Sequence, residues 1–156
     1  MHYAVIDSSM GPLTVASTEK GIASIQFGNS VPRGRVAEPS ADHETVEQLT
    51  EYFEGKRTQF QLPLDFDGTA FQKAVWEELL RIPYGETRSY GDIAKAIGRP
   101  GAARAVGMAN HDNPIAVVIP CHRVVGRDGS LTGYAGGLQL KAQLLSIERQ
   151  HRTLFT

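Results

Sequence analysis

The sequence predicts an α/β protein, with a small strand-rich α/β unit first and a mostly helical unit after it. Two observations carry this. The first 27 residues alternate short apolar runs with turn signals, and beyond residue 67 apolar residues recur at helical spacing behind helix-capping sequences. The boundary is expected near residue 66, giving domains 1–66 and 67–156.

Strands are predicted at residues 3–7, 13–17 and 22–27, separated by Met10-Gly11-Pro12 and Glu19-Lys20-Gly21, which reads as an antiparallel meander. Residues 28–40 contain two glycines, two prolines and few apolar side chains, so a loop is expected. Val46, Leu49, Tyr52 and Phe53 then mark a helix over residues 42–53 that stops at Gly55. A short strand at residues 60–62 is expected to complete the first unit.

Thr69 and Gln72 have capping-box spacing, ahead of a helix whose stripe is Phe71, Val75, Trp76, Leu79 and Leu80 and which ends before Pro83. Ser89 with Asp92 three residues on starts the next helix, expected to reach Ile97 and stop at Gly98. Another helix is expected over residues 102–110. Two short helices joined by a tight glycine-containing turn form a helix-turn-helix pattern, which in small α-rich domains is often only a packing unit. The β-branched run at residues 115–119 suits a buried extended segment. Leu138, Leu140, Leu144, Leu145 and Ile147 predict a last helix ending around Glu148.

Composition excludes several function classes. Hydrophobic content of 41% with 21% charged residues fits a soluble globular chain. No apolar run approaches the roughly 20 residues of a membrane span, and the N-terminus lacks the basic flank of a signal peptide. A cytoplasmic protein in a reducing compartment is expected. One cysteine forms no internal disulfide and no multi-cysteine zinc site, so no metal is expected. The net charge of −1 hides an asymmetry: residues 1–66 carry five Lys/Arg against nine Asp/Glu, and residues 67–156 carry eleven against eight. Between Arg88 and Arg127, Arg88, Lys95, Arg99, Arg104, Arg123 and Arg127 are opposed only by Asp92 and Asp112. That stretch reads either as a surface facing phosphate or as an ordinary solvated one.

The lone Cys121 ends an apolar run and is followed directly by His122 and Arg123. A buried cysteine is by default a small hydrophobe. Its cationic neighbours, which favour a thiolate, and the carboxylate Glu148 on a later helix, available to orient an imidazole, argue instead for a nucleophile. Asn113, before Pro114, has a side chain able to pin an adjacent turn.

The ordered series Ser89-Tyr90, Ala103-Arg104-Ala105-Val106-Gly107, Asn113-Pro114, Pro120-Cys121-His122-Arg123-Val124, Gly133-Tyr134 and Gly136-Gly137 resembles the O6-alkylguanine-DNA alkyltransferases, also called methylated-DNA–protein-cysteine methyltransferases. The likeness spans residues 71–148. For the first unit it agrees only in pattern, where it implies a ribonuclease-H-like domain.

What the resemblance implies is direct, irreversible transfer of an alkyl group from O6 of guanine in duplex DNA to Cys121, with O4-alkylthymine left open as a second substrate. It implies that His122 removes the thiol proton through a water, that Glu148 orients the imidazole and that Asn113 holds the turn. Tyr90 is implied to help rotate the nucleotide and donate to the departing guanine. Arg104 is implied to enter the base stack, with Ser89, Ala103 and Arg123 beside it at the DNA. Pro120, Val124, Tyr134, Ala135, Gly136 and Lys141 are implied to wall the pocket. Many relatives carry serine where this chain has Ala135, and Met108 and Asn110 also differ from some relatives on the DNA-facing helix. The helix-turn-helix is implied to enter the minor groove. No cofactor is implied; the partner is double-stranded DNA containing O6-alkylguanine, the protein a monomer, nucleoid-associated if bacterial.

Three other readings compete. The non-catalytic alkyltransferase-like proteins bind alkylated DNA but replace the acceptor cysteine, often with tryptophan. A cysteine hydrolase needs turnover that a stable thioether forbids. A transcription factor would use the helix-turn-helix alone and leave the thiol site unexplained.

Overall fold

The computed structural model describes residues 1–38, 43–134 and 136–151. The chain divides into two compact units, residues 1–67 with 114–116 and residues 68–113 with 117–156. Among the described residues no helix is long and apolar enough to cross a membrane.

In the first unit β1 (His2–Ser8), β2 (Gly11–Thr18) and β3 (Gly21–Phe27) form an antiparallel sheet in sequence order. Alternation puts Ala4 and Ile6 of β1 and Leu13 and Val15 of β2 into one core with Ile22 and Ile25. As the central strand, β2 also buries Thr14, Ala16 and Ser17. Helix α1 (His43–Phe53) adds Leu49 and Tyr52, both with no exposed surface, and the Tyr52 ring lies 5.5 Å from that of Phe60. The first residue of the predicted helix, Asp42, lies outside the described residues.

The strand expected at residues 60–62 does not form. The Gln48 amide takes the place of a neighbouring strand: its Nε2 donates to Gln61 O at 3.2 Å and its Oε1 accepts from Gln61 N at 2.9 Å. One bridge survives, Ile22 with Leu64, where Ile22 N donates to Pro63 O. Gly21 sits there at φ +151°, and a Cβ on it would stand 2.4 Å from Pro63 O, so only glycine fits. Ile115 bridges to Ile25 in the same way.

In the second unit α2 (Ala70–Leu79) starts at the Thr69–Gln72 capping box, present in both directions. Its Trp76 Nε1 donates to Ala109 O at 2.8 Å in the core, tying α2 to the helix that carries Ala109. Helix α3 (Tyr90–Ala96) starts at the Ser89–Asp92 box. It stops in a Schellman motif, with Arg99 N donating to Ala94 O and Gly98 N to Lys95 O, and Gly98 taking φ +78°. Helix α4 (Ala103–His111) follows, so the helix-turn-helix is real. It buries Val106, Ala109 and Asn110 and leaves Arg104, Ala105 and Met108 exposed. A two-residue parallel pair, β4 (Arg88–Ser89) with β5 (Val124–Val125), joins the start of α3 to the chain just after Cys121. Helix α5 (Leu138–His151) runs three residues past the expected end.

Residues 115 and 117–119 are buried and Ala116 is half-buried, but the run is not extended beyond the bridge at Ile115. They make a turn in which Val117 adopts φ +72°. A β-branched residue there is strained by about 1–3 kcal/mol, which the surrounding contacts must offset.

Candidate active site

The turn at Val117 delivers the chain to Pro120, whose φ of −81° and ψ of 62°, with Cys121 N donating to Ile119 O at 2.7 Å, make an inverse γ-turn. One 3₁₀ turn, Cys121–Arg123, follows. Two asparagines clamp this path. Asn113 Nδ2 donates to Ile119 O at 2.8 Å, and Asn110 Nδ2 donates to Cys121 O at 3.3 Å. Asn110 is 2% exposed, so it faces the turn and not DNA. Its place on the buried 106/109/110 face of α4 was readable from helical spacing.

The 3₁₀ turn sends successive side chains apart, and His122 points to α5. There Glu148 gathers four donors. Oε2 accepts from His122 Nε2 at 2.6 Å and Arg123 Nη2 at 3.0 Å, while Oε1 accepts from Arg123 Nε at 2.8 Å and Gly85 N at 3.2 Å. Burial pushes the Glu148 carboxyl up, but the hydrogen bonds and charges of His122 and Arg123 outweigh it and hold the group well below the usual carboxylate range. For His122 the order reverses: burial favours the neutral ring over the pull of Glu148. An ionised carboxylate only accepts, so Nε2 carries the proton and Nδ1 keeps a lone pair. That Nδ1 is buried and has no hydrogen-bond partner among the described residues. A neutral imidazole with its basic nitrogen open, beside the only cysteine, is the arrangement of a general base.

Cys121 itself is 5% exposed. Burial pushes its thiol up to about 11, against the opposing pull of the Asn113 side chain, the Lys141 charge and the Tyr134 hydroxyl. The thiol is therefore neutral at pH 7, with groups that would stabilise its anion already placed around it.

A sequence profile of the 6-O-methylguanine DNA methyltransferase DNA binding domain matches residues 70–150, and the ribonuclease-like domain of the same proteins matches residues 1–66. The chain belongs to this methyltransferase family. It is 49% identical to the methylated-DNA–protein-cysteine methyltransferase of Mycobacterium tuberculosis, over 96% of this chain and 93% of that one. Its identity to the Methanosarcina barkeri protein of the same name is 47%, covering 97% and 99%. The crystal structure of Mycobacterium tuberculosis OGT in complex with DNA superposes with a TM-score of 0.91 at 49% identity, covering all of both chains. The mixed α/β fold, antiparallel strands followed by a helical region, is that of these structures.

Placed in this family member, the remaining predicted residues separate by location. Arg104 is exposed on α4, with Ala103 half-buried beside it and Met108, 62% exposed, one helical turn on. Ser89 is spent on capping α3. The Tyr90 hydroxyl donates to Thr132 O and accepts from Thr132 Oγ1, each at 3.1 Å. Arg123 does not take its expected place at the DNA: it is 6% exposed, chelates Glu148 and gives Nη1 to Ile82 O at 2.7 Å, so it holds the Glu148 carboxylate from within. Lys141 is fully buried; its ammonium joins Val124 O at 2.5 Å to Thr132 O at 2.7 Å, holding the chain after Cys121 to the loop before Tyr134. Burial lowers its pKa to about 8, partly offset by Cys121. Tyr134, expected only to wall the pocket, is buried, and its hydroxyl is among the groups that favour the Cys121 anion. Pro120 and Val124 are buried next to Cys121 and Gly136 is exposed, while Ala135 lies outside the described residues.

Proposed function

We propose that this chain repairs duplex DNA by accepting the alkyl group of O6-alkylguanine on Cys121, once and irreversibly. The observation that carries the reading is the buried His122–Glu148 pair directly after the buried Cys121, with His122 Nδ1 without a hydrogen-bond partner among the described residues and Nε2–H committed to the carboxylate. The electrophile is a saturated carbon, so the step is an in-line displacement that favours sulfur over oxygen. His122 Nδ1 takes the thiol proton through a water, the Sγ–C bond forms as the C–O6 bond breaks, and the electron pair leaves on guanine. Tyr90 gives a proton to that guanine by swinging its O–H from Thr132 O, and the proton held on His122 restores the balance. The products are a thioether on Cys121 and unmodified guanine. A thioether is a poor leaving group, so no step returns the thiol.

The reacting atom is stacked inside a duplex, so the nucleotide is flipped into the pocket. Arg104 fills the gap from the exposed face of α4, which lies in the minor groove. Arg104→Ala is expected to slow transfer from a duplex several-fold or more and leave reaction with free O6-benzylguanine near wild type. Stopped-time assays on both substrates check this, and equal loss on both would remove the flipping role.

The proposed function is tested by incubating the protein with a duplex containing O6-methylguanine, then measuring intact mass and mapping peptides. One added methyl on Cys121 per molecule is expected. Binding without modification would favour a non-catalytic alkyltransferase-like protein, and multiple turnovers would favour a hydrolase.

A further inference from the structure

The backbone carbonyls nearest the thiol already accept hydrogen bonds. Ile119 O accepts from Asn113 Nδ2 and Cys121 N, Cys121 O from Asn110 Nδ2, Val124 O from Lys141 Nζ, and Thr132 O from Lys141 Nζ and the Tyr90 hydroxyl. Among the described residues, two buried side-chain atoms next to this chain segment, His122 Nδ1 and Asn110 Oδ1, have no hydrogen-bond partner. The first has a use in the proton transfer proposed above; the second has none. A buried carbonyl oxygen without a donor costs free energy, so one retained beside a reactive group points to a donor that arrives with the substrate.

The place of Asn110 on α4 says which donor. Asn110 is 2% exposed and turned from the outer surface of α4 toward the cysteine, with Nδ2 donating to Cys121 O at 3.3 Å. Gly107 lies one turn earlier on the same face, and a Cβ built on it would stand 3.8 Å from Cδ1 of the Tyr90 ring. That face of α4 therefore runs from Tyr90 to the backbone of Cys121, the two residues that a reacting base must meet together. Oδ1, like the thiol, is covered in the free protein, and only a base brought out of the stack into this site could meet it. The bond from Nδ2 to Cys121 O also fixes the amide, so the end left for a substrate is the acceptor and not the donor.

We propose that Asn110 Oδ1 accepts a hydrogen bond from the 2-amino group of the flipped O6-alkylguanine, which makes Asn110 a residue that selects the base. The inference rests on the function proposed above, since that reading makes the flipped base the substrate. Alkylation at O6 removes the proton from N1, so the 2-amino group is the only N–H donor left on that base. An O4-alkylthymine has no N–H donor on its pairing edge and would leave Oδ1 buried without one. A site with an acceptor fixed for one amine disfavours every base that lacks it.

The test compares second-order rates of methyl transfer to Cys121 from duplexes containing O6-methylguanine, O6-methylhypoxanthine, which lacks only the 2-amino group, and O4-methylthymine. Wild type is expected to prefer O6-methylguanine to O6-methylhypoxanthine by about tenfold, the size of one neutral hydrogen bond, and Asn110→Leu to bring the two within about twofold of each other. The same variant should raise O4-methylthymine relative to O6-methylguanine. Leucine also breaks the clamp on Cys121 O and slows every substrate, but a ratio of two substrates within one protein does not register that. Asn113→Ala breaks the clamp on Ile119 O and is expected to slow both purines while keeping the wild-type ratio. Equal rates on the two purines in wild type would overturn the proposal whether or not the variants fold. So would the wild-type ratio persisting in Asn110→Leu or, if that variant does not fold, in Asn110→Ala; a ratio lost equally in Asn113→Ala would assign the discrimination to the turn instead. Failure of wild type to take the methyl group from O6-methylguanine at all is a separate result, which overturns the proposed function.

Discussion

A Cys121→Ser variant is expected to bind an O6-methylguanine duplex with near wild-type affinity and to take up no methyl group. The substitution exchanges sulfur for a slightly smaller oxygen in a site 5% exposed, so the Ile119–Arg123 path and its asparagine clamps are retained. What is lost is nucleophilicity toward a saturated carbon. A hydroxyl starts from a far higher pKa than the thiol, whose buried value of about 11 is already a demand on His122. Anisotropy measures the binding and intact mass the transfer. A methylated variant would strip Cys121 of the acceptor role, and loss of both properties would point to a structural role for the sulfur.

The second large effect is on stability. Glu148→Gln removes the charge that holds buried Arg123 and orders His122, leaving a buried guanidinium without its counter-ion. Breaking such a pair costs about 3–5 kcal/mol, or about 6–20 °C in Tm for a chain of this length. Urea unfolding at pH 7 checks the value, and a loss under about 1 kcal/mol would show that Arg123 is compensated elsewhere. The pH dependence has a definite sign. Glu148 has a depressed native pKa, so the unfolded chain binds the proton more readily; its stabilisation is present above the ordinary value of 4.5 and is lost as pH falls toward the lower native value. His122 is likewise depressed, so unfolding gains a proton below 6.5 and wild type starts to weaken there. The Glu148→Gln variant should show a flatter stability profile below pH 4.5, because the carboxylate that titrates there is gone.

Much of the fold was legible because its signals are local. The capping boxes at Thr69 and Ser89, the stop at Gly98 and the alternation in β1 to β3 each depend on residues within one turn or strand, and each formed as read. The misses depend on distant partners. Nothing near residues 60–62 reveals that the Gln48 amide satisfies the backbone there in place of a strand. The run at residues 115–119 has strand chemistry, yet tertiary contacts and Asn113 impose a turn with Val117 in a conformation that valine avoids. Two-residue strands such as β4 and β5 have no periodicity to detect.

The site divides along the same line. Cys121 and His122 are adjacent in sequence, Glu148 and Asn113 stand out by residue type, and the family likeness gave them roles. Arg123 is expected beside the thiol by its charge and at the DNA by the family likeness, whereas its partner Glu148 lies 25 positions away. A signal for the interior of α5 was available: Lys141, Leu144, Leu145 and Glu148 follow the spacing of one helical face, so two ionisable residues share the stripe with leucines. Charges at apolar positions of a helix are expected to be paired or hydrogen-bonded: Glu148 is paired with Arg123, and Lys141 donates to the Val124 and Thr132 carbonyls.

The burial of Cys121 has a bearing on time as well as on chemistry. On the proposed function a molecule reacts once, and until a damaged base arrives its sulfur must survive. Oxidants attack thiols in proportion to their anionic fraction and access. A protonated thiol on a residue only 5% exposed is low on both counts. The high pKa that works against the reaction is then a form of storage: the nucleophile is kept capped by its own proton, and the flipped substrate brings the circumstances in which His122 removes it.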